Sequence, residues 1–173
     1  MSVFLQPIYT QTVGATAVAS VTFNSIPQGF TDLKLVFSGR TNASSVDRDI
    51  PYILINGTSV GTTNTRLYGI PNVATGSDRS SGLNLGYVST ATNTSNTFGS
   101  QEVYVPNYSG ANYKSFVIDG VSESNSTTQV GLTLVAGLWS NTAAITSLSI
   151  YGGSGSWVQY STFTLYGVLR QGI

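Results

Sequence analysis

The chain has 173 residues, seven basic and seven acidic, a formal net charge of zero, and neither Cys nor His. Its length is that of one ordinary domain, expected to run over 1–173 and to bury a core without covalent staples. The missing residue types exclude disulfides, thiolate and imidazole metal sites, and the Ser-His-Asp and Cys-His forms of nucleophilic catalysis.

Only 8% of the residues are charged, against about 25% in a typical soluble domain. Ser, Thr and Asn fill the gap, at 58 of 173 positions. Hydroxyls and amides must therefore solvate the surface, which has little long-range field to steer nucleic acid or anionic lipid. Little like-charge repulsion keeps copies apart, which favours close subunit association. No apolar run approaches the roughly 18 residues of a membrane-spanning helix. The opening residues show no basic n-region and no small-residue cleavage site, so no secretory signal is expected.

Taken in chain order, the predicted elements are short strands. The first lies near 4–9, where residues 1–14 form either an edge strand or an arm that reaches a neighbour. Strands follow near 16–24, 33–39, 52–55, 66–69, 83–88, 102–105, 115–121, 130–136, 147–151 and 157–168. The alternation is clearest where Leu33, Leu35 and Phe37 interleave with Lys34, Val36 and Ser38. Phe116 and Ile118 flank Val117, and Phe163 and Leu165 lie between threonines. Period two places one face of each segment on a core. Turn clusters separate the strands, with Asn56-Gly57 the strongest hairpin signal because both residues tolerate positive φ. Helix signals are weak; at 138–148 Asn141 can cap one turn, in a corner between strands. The expected fold class is all-β, a two-sheet antiparallel sandwich of jelly-roll type. Long loops are expected at 42–49 and 89–100.

Candidate sites are few. The carboxylates are Asp32, Asp47, Asp49, Asp78, Glu102, Asp119 and Glu123. A glycosidase needs two brought together, and no spacing singles out a pair, although Glu102 and Asp119 could face each other. Asp32 reads as a turn former. Asp47 and Asp49 flank Arg48 and could hold Ca²⁺ with Asn42. The loop lacks a D-x-D-x-D-G pattern, so a solvated loop with a local ion pair is the favoured reading. Gly152-Gly153-Ser154-Gly155 lacks the spacing and the Lys of a phosphate loop. Lys and Arg occur singly, against nucleic-acid binding. Five Asn-x-Ser/Thr triplets follow from composition alone. Among the aromatics, Trp139 is assigned to the core. Tyr108, Tyr113 and Tyr160 sit near turns and are the candidates for exposed contact with a partner or a neutral glycan. No catalytic residue, cofactor or metal is expected, and the chain is not read as an enzyme.

Four stretches occur together: Phe23-Asn24-Ser25-Ile26-Pro27; Asp32-Leu33-Lys34-Leu35; the run from Gly137-Leu138-Trp139 to Thr146-Ser147-Leu148; and Phe163-Thr164-Leu165-Tyr166-Gly167. In this order they resemble a family of small tailed-bacteriophage virion structural proteins, of head-decoration or tail-fibre type. The resemblance covers most of the chain and is most specific in its second half. It implies a virion location after synthesis in the host bacterial cytoplasm. It further implies a capsid decoration or cement role, partnered by other virion proteins such as the major capsid protein. The scattered charges and the lack of a long apolar run add the expectation of no nucleic acid and no membrane. A homo-oligomer, by preference a trimer, would match capsid three-fold positions. A tail-fibre or receptor-binding module for host surface glycan is the alternative.

Overall fold

The computed structural model describes residues 3–70, 73–125 and 131–170. Among them lie twelve strands and no helix: β1 (Val3–Thr12), β2 (Ser20–Phe23), β3 (Asp32–Gly39), β4 (Tyr52–Ile55), β5 (Thr62–Ile70), β6 (Val73–Ser81), β7 (Leu83–Asn84), β8 (Gly99–Pro106), β9 (Lys114–Ser122), β10 (Gly131–Trp139), β11 (Leu148–Tyr151) and β12 (Thr162–Arg170). The large sheet has the order β1-β12-β3-β8-β9-β10-β5-β6, and the small one β2-β11-β4-β7.

The pairings are nested. β1 pairs with β12, β2 with β11, β3 with β8 and β4 with β7, all antiparallel. The chain thus doubles back as one long hairpin whose successive rungs fall alternately on the two sheets, which is the jelly roll. Two further pieces are inserted: β5–β6 between β4 and β7, and β9–β10 between β8 and β11. Their strands pair with one another through β5 and β10 and widen the large sheet beyond β8. The all-β sandwich expected from period-two patterning is the fold observed.

Alternation explains the core. Along β3 the inward set Leu33, Leu35 and Phe37 is buried, and Lys34, Val36 and Ser38 face outward. Phe37, Trp157 and Phe163 form a triad between the sheets, with ring centroids 5.0 to 5.8 Å apart. The buried Trp157 indole donates Nε1–H to the Ile150 carbonyl of the small sheet at 3.0 Å, as a buried indole requires. Its backbone bridges to Val18 and Thr41, so two loops close on the same residue.

Several expectations need adjustment. Residues 3–12 form an edge strand on β12, with a register shift at Pro7, a position where an edge tolerates proline. The strand foreseen at 16–24 shortens to Ser20–Phe23, and the segment from 85 to 88 carries only a bridge from Val88 to Asp49. β6 was not foreseen because its Gly, Ser, Asp and Arg residues show no apolar alternation. Val130, placed in a strand from the sequence, lies outside the described residues. The corner after β10 forms without a helical turn; Asn141 Oδ1 accepts the Ala143 N–H at 2.8 Å.

The close approach of Trp157 to β3 requires a glycine. A Cβ on Gly39 would sit 2.6 Å from the far edge of the indole. Gly39→Ala is expected to destabilise the fold by about 1–3 kcal/mol, the usual overpacking range, read as a lowered urea midpoint at unchanged m-value.

Candidate functional site

The loops gather at two ends of the sandwich, and the aromatic candidates divide between them. At the end where β3 begins, the resemblance stretches converge. Ile26 N–H donates to the Thr146 carbonyl at 3.0 Å, and Gln28 Nε2 donates to the carbonyls of Ile26 and Ile145 at 2.7 and 3.0 Å. Asn56 ties the same corner, accepting from Thr146 and Ser147 N–H through Oδ1 and donating to the Ala144 carbonyl. Tyr108 is fully buried in this knot, its hydroxyl donating to the Pro27 carbonyl. The expectation that Tyr108 is exposed therefore fails: its turn folds inward under Ile145, whose N–H donates to the Tyr108 carbonyl at 3.0 Å. Asp32 does more than form a turn. It is buried and accepts from the Tyr104 hydroxyl at 2.5 Å and from Asn107 N–H at 3.0 Å.

Lys114 is the residue that sequence reasoning missed here. It is fully buried, and Nζ donates to the carbonyls of Gly110, Asn112 and Ala143 at 2.6 to 2.8 Å, 5.8 Å from the Trp139 ring centroid. Burial pushes its ammonium below the ordinary lysine range. It clasps the β8–β9 turn to the corner after β10. Tyr113, in the same turn, is 56% exposed.

At the opposite end, Asp49 and Arg40 organise the long loops. The buried Asp49 carboxylate accepts from Thr41 Oγ1 at 2.9 Å, Ile50 N–H at 2.9 Å, Ser154 N–H at 2.8 Å and Gly155 N–H at 3.2 Å. The glycine-rich loop thus cradles an anion, and that anion is the chain's own side chain. The solvated-loop reading holds for Asp47, paired with Arg48 at 2.9 Å, but fails for Asp49. Asn42 Oδ1, the third ligand considered for Ca²⁺, accepts the Ser156 N–H at 2.8 Å. Among the described residues no group of three or more acidic side chains converges as a metal site would require. Arg40 holds the 93–97 segment from beneath, its Nη1 donating to the carbonyls of Thr94 and Thr97 and its Nη2 to that of Asn93, at 2.8 to 3.1 Å. Desolvation lowers its pKa.

Two open concavities lie at this end. One, of about 350 Å³, runs beside Arg48, Asp49, Tyr52 and Ser154. The other, of about 300 Å³, has Tyr160, Gln159 and Val158 on one wall and Asn96 and Phe98 on the other, with Arg40 in its floor. Tyr160 is 67% exposed, and its φ is +72°.

The outer face of the large sheet is the most unusual surface. Leu67 on β5, Leu132 and Leu134 on β10, and Val117 and Val121 on β9 are each about half exposed. They are neighbours by register: Leu134 faces Leu67, Leu132 faces Val121, and Ala136 faces Val117. On the inner side of these inserted strands the buried residues include Thr62, Asn64, Arg66 and Thr133. Arg66 lies 5.1 and 5.2 Å from the Tyr68 and Tyr87 ring centroids and pairs with Asp78 at 2.5 Å. Polarity is therefore reversed on β5, with polar groups inside and Leu67 outside, whereas β9 and β10 bury Phe116, Ile118, Val135 and Trp139 and are apolar on both faces. Asp119 interrupts the stripe, between Val117 and Val121 and opposite Leu134; its partner on the other side is Glu102, which pairs with Lys34 at 2.6 Å. These carboxylates do face each other, but on an open sheet face; a glycosidase pair works in a cleft that desolvates its acid.

Comparison with family models, curated proteins and solved structures finds no match to this chain.

Two outcomes follow. Asp49→Ala takes the acceptor from four donors, one of them the buried Thr41 hydroxyl, and is expected to cost about 1–3 kcal/mol, measured by urea denaturation. Burial pushes the Tyr108 phenol above its ordinary pKa, against an opposing backbone hydrogen bond from Phe30. The unfolded chain then loses that proton first as pH passes about 10. Stability from neutral Tyr108 is whole below that pH and is lost as pH rises through the raised folded value. Tyr108→Phe should cost about 1 kcal/mol near pH 8, and its deficit against wild type should shrink near pH 11 in paired urea titrations.

Proposed function

We propose that this chain is a structural, non-catalytic protein of a tailed-bacteriophage virion, a capsid decoration protein that acts as a homo-oligomer. The observation that carries this is the aliphatic stripe that Leu67, Val117, Val121, Leu132 and Leu134 leave exposed on the outer face of β5, β10 and β9. Soluble single chains rarely expose a contiguous aliphatic patch of this kind, and such patches mark association surfaces. The resemblance of the 137–148 and 163–167 stretches to phage virion proteins supplies the particle. The jelly roll agrees with it by analogy of fold, being common in viral shells.

A second copy of this chain is the occupant proposed for the stripe. The three strands of the stripe, at about 4.8 Å spacing and roughly 30 Å long, offer on the order of 400 Å², the size of patch that marks an association surface. The polar strands beside it would supply the rest of the about 800 Å² per partner of a standard interface. The net charge of zero sets no repulsion against self-association. A two-fold contact would set the stripe against itself and bring Asp119 toward the partner's Glu102 and Asp119. A heterologous contact avoids this, and closed heterologous rings begin at three. A trimer is therefore favoured.

Light scattering on the purified chain should give a trimer mass. Leu134→Lys should give a monomer with unchanged far-UV circular dichroism. A wild-type monomer at micromolar concentration would overturn the assembly reading. Labelled particles viewed by cryo-electron microscopy should show the protein on the head. Density confined to the tail would replace the decoration role by the receptor-binding one.

A further inference from the structure

We propose that the cleft between Tyr160 and the 93–98 segment is a binding site for a neutral sugar ring, with Tyr160 as its stacking platform. The site does not depend on which post the protein occupies in an assembly.

Tyr160 is held at a position where folding alone gives no reason for a tyrosine. Residues 158–161 form a tight turn closed by Ser161 N–H to the Val158 carbonyl at 3.1 Å. Tyr160 is the third residue of that turn, with φ +72°, where Gly or Asn is ordinarily favoured. A side chain in this region carries strain of about 1–2 kcal/mol. The ring recovers little of it by packing, since the residue is 67% exposed. The turn is nonetheless fixed from several sides. Tyr160 N–H donates to the Val13 carbonyl at 3.1 Å, Val158 N–H to the Arg40 carbonyl at 3.0 Å, and the buried Ser161 accepts Arg40 N–H at 3.2 Å. Strain that is overdetermined by its surroundings and unrelieved by packing marks functional positions.

The facing wall is equally set. Arg40 grips three carbonyls of the 93–97 segment. Asn93 anchors it further, donating from Nδ2 to the Asp47 carbonyl at 2.8 Å. Asn96 stands at the tip with φ +64°. An exposed phenol ring, a second aromatic in Phe98, and the amides of Gln159 and Asn96 thus surround about 300 Å³ without rearrangement. That volume is at the lower end of small-ligand sites, and fixed walls lower the ordering cost of binding.

The chemistry selects the ligand class. A pyranose presents a C–H face that stacks on an aromatic ring and hydroxyls that exchange hydrogen bonds with amides. Besides Tyr160, Arg40 is the only ionisable residue of the lining, and its Nη atoms already serve backbone carbonyls. No carboxylate lines the cleft and no unengaged ammonium group stands in it. Uncharged sugars are therefore favoured over uronic or sialic acids.

The test uses the full chain on an array of immobilised neutral oligosaccharides (glucose-, galactose-, mannose-, rhamnose- and N-acetylglucosamine-terminated) beside acidic ones. Wild type should bind one or more neutral probes. Tyr160→Asn should weaken that binding by roughly tenfold, the scale of one aromatic contact, while its Tm stays level or rises because Asn tolerates the turn. Tyr113→Ala, at the other end, should bind as wild type does. An array blank for neutral sugars, binding confined to acidic ones, or Tyr160→Asn binding at full strength would each overturn the proposal. So would a Tm of Tyr160→Asn lowered by several degrees, which would make the ring a structural element.

Discussion

Trp157 is the point where both sheets and two loops meet on one residue. Its ring packs on Phe37 and Phe163 of the large sheet, its Nε1–H reaches the Ile150 carbonyl of the small sheet, and its backbone bridges to Val18 and Thr41. A chain with no disulfide and few charges must fix the distance between its sheets by packing and hydrogen bonding alone. The indole does both, and Gly39 is the clearance it needs. The residues that follow Trp157 inherit that fixed point. The turn carrying Tyr160 is held where it is because the strand pairings on either side of it leave no slack.

The two ends of the sandwich have different characters. One end is a knot of hydrogen bonds in which Tyr108, Lys114 and Asn56 draw the stretches around Pro27 and 143–147 onto one another. Those stretches are best understood as fold-keeping residues. Gly167 leaves room for the Phe30 ring against β12. The other end holds the long loops, braced by Asp49 and Arg40, and carries the open concavities. The aliphatic stripe belongs to neither. It sits on the strands inserted into the jelly roll, whose inner side is polar along β5, at Asn64 and Arg66, and mainly apolar along β9 and β10, at Phe116, Ile118, Val135 and Trp139. The proposed assembly surface thus lies on the added strands, and the proposed sugar cleft on the loops.

The period-two signal carried the fold because most strands bury one face, and Leu33, Leu35 and Phe37 are the plainest case. It failed at β6, a polar edge strand defined by its partner β5 and not by its own pattern. On β10 it was ambiguous, since Leu132 and Leu134 alternate with Thr133 and Val135, and either set could have faced the core. The placement of Tyr108 was out of reach because exposure near a turn depends on which way the loop folds. Lys114 and Asp49 were illegible for a related reason. A lysine or aspartate in a hydroxyl-rich chain reads as surface until the carbonyls or amides that receive it are known. Tyr160 left one trace: a tyrosine beside Gln159 between two apolar strand segments, with no glycine to form the turn.

The nesting of the pairs has a consequence for how the protein comes into being. Among the described strands β1 pairs with β12 and β2 with β11, so the outermost rungs wait until β11 and β12 have been made. The hairpins β5–β6, β8–β9 and β9–β10 are local and can form early, but the outer rungs are long-range and come late, and such topologies fold slowly. Throughout that interval the aliphatic segments of β9 and β10 are exposed on both faces. A chain of this topology depends on fast closure of its outer rungs, or on chaperones, before it meets the wrong neighbour.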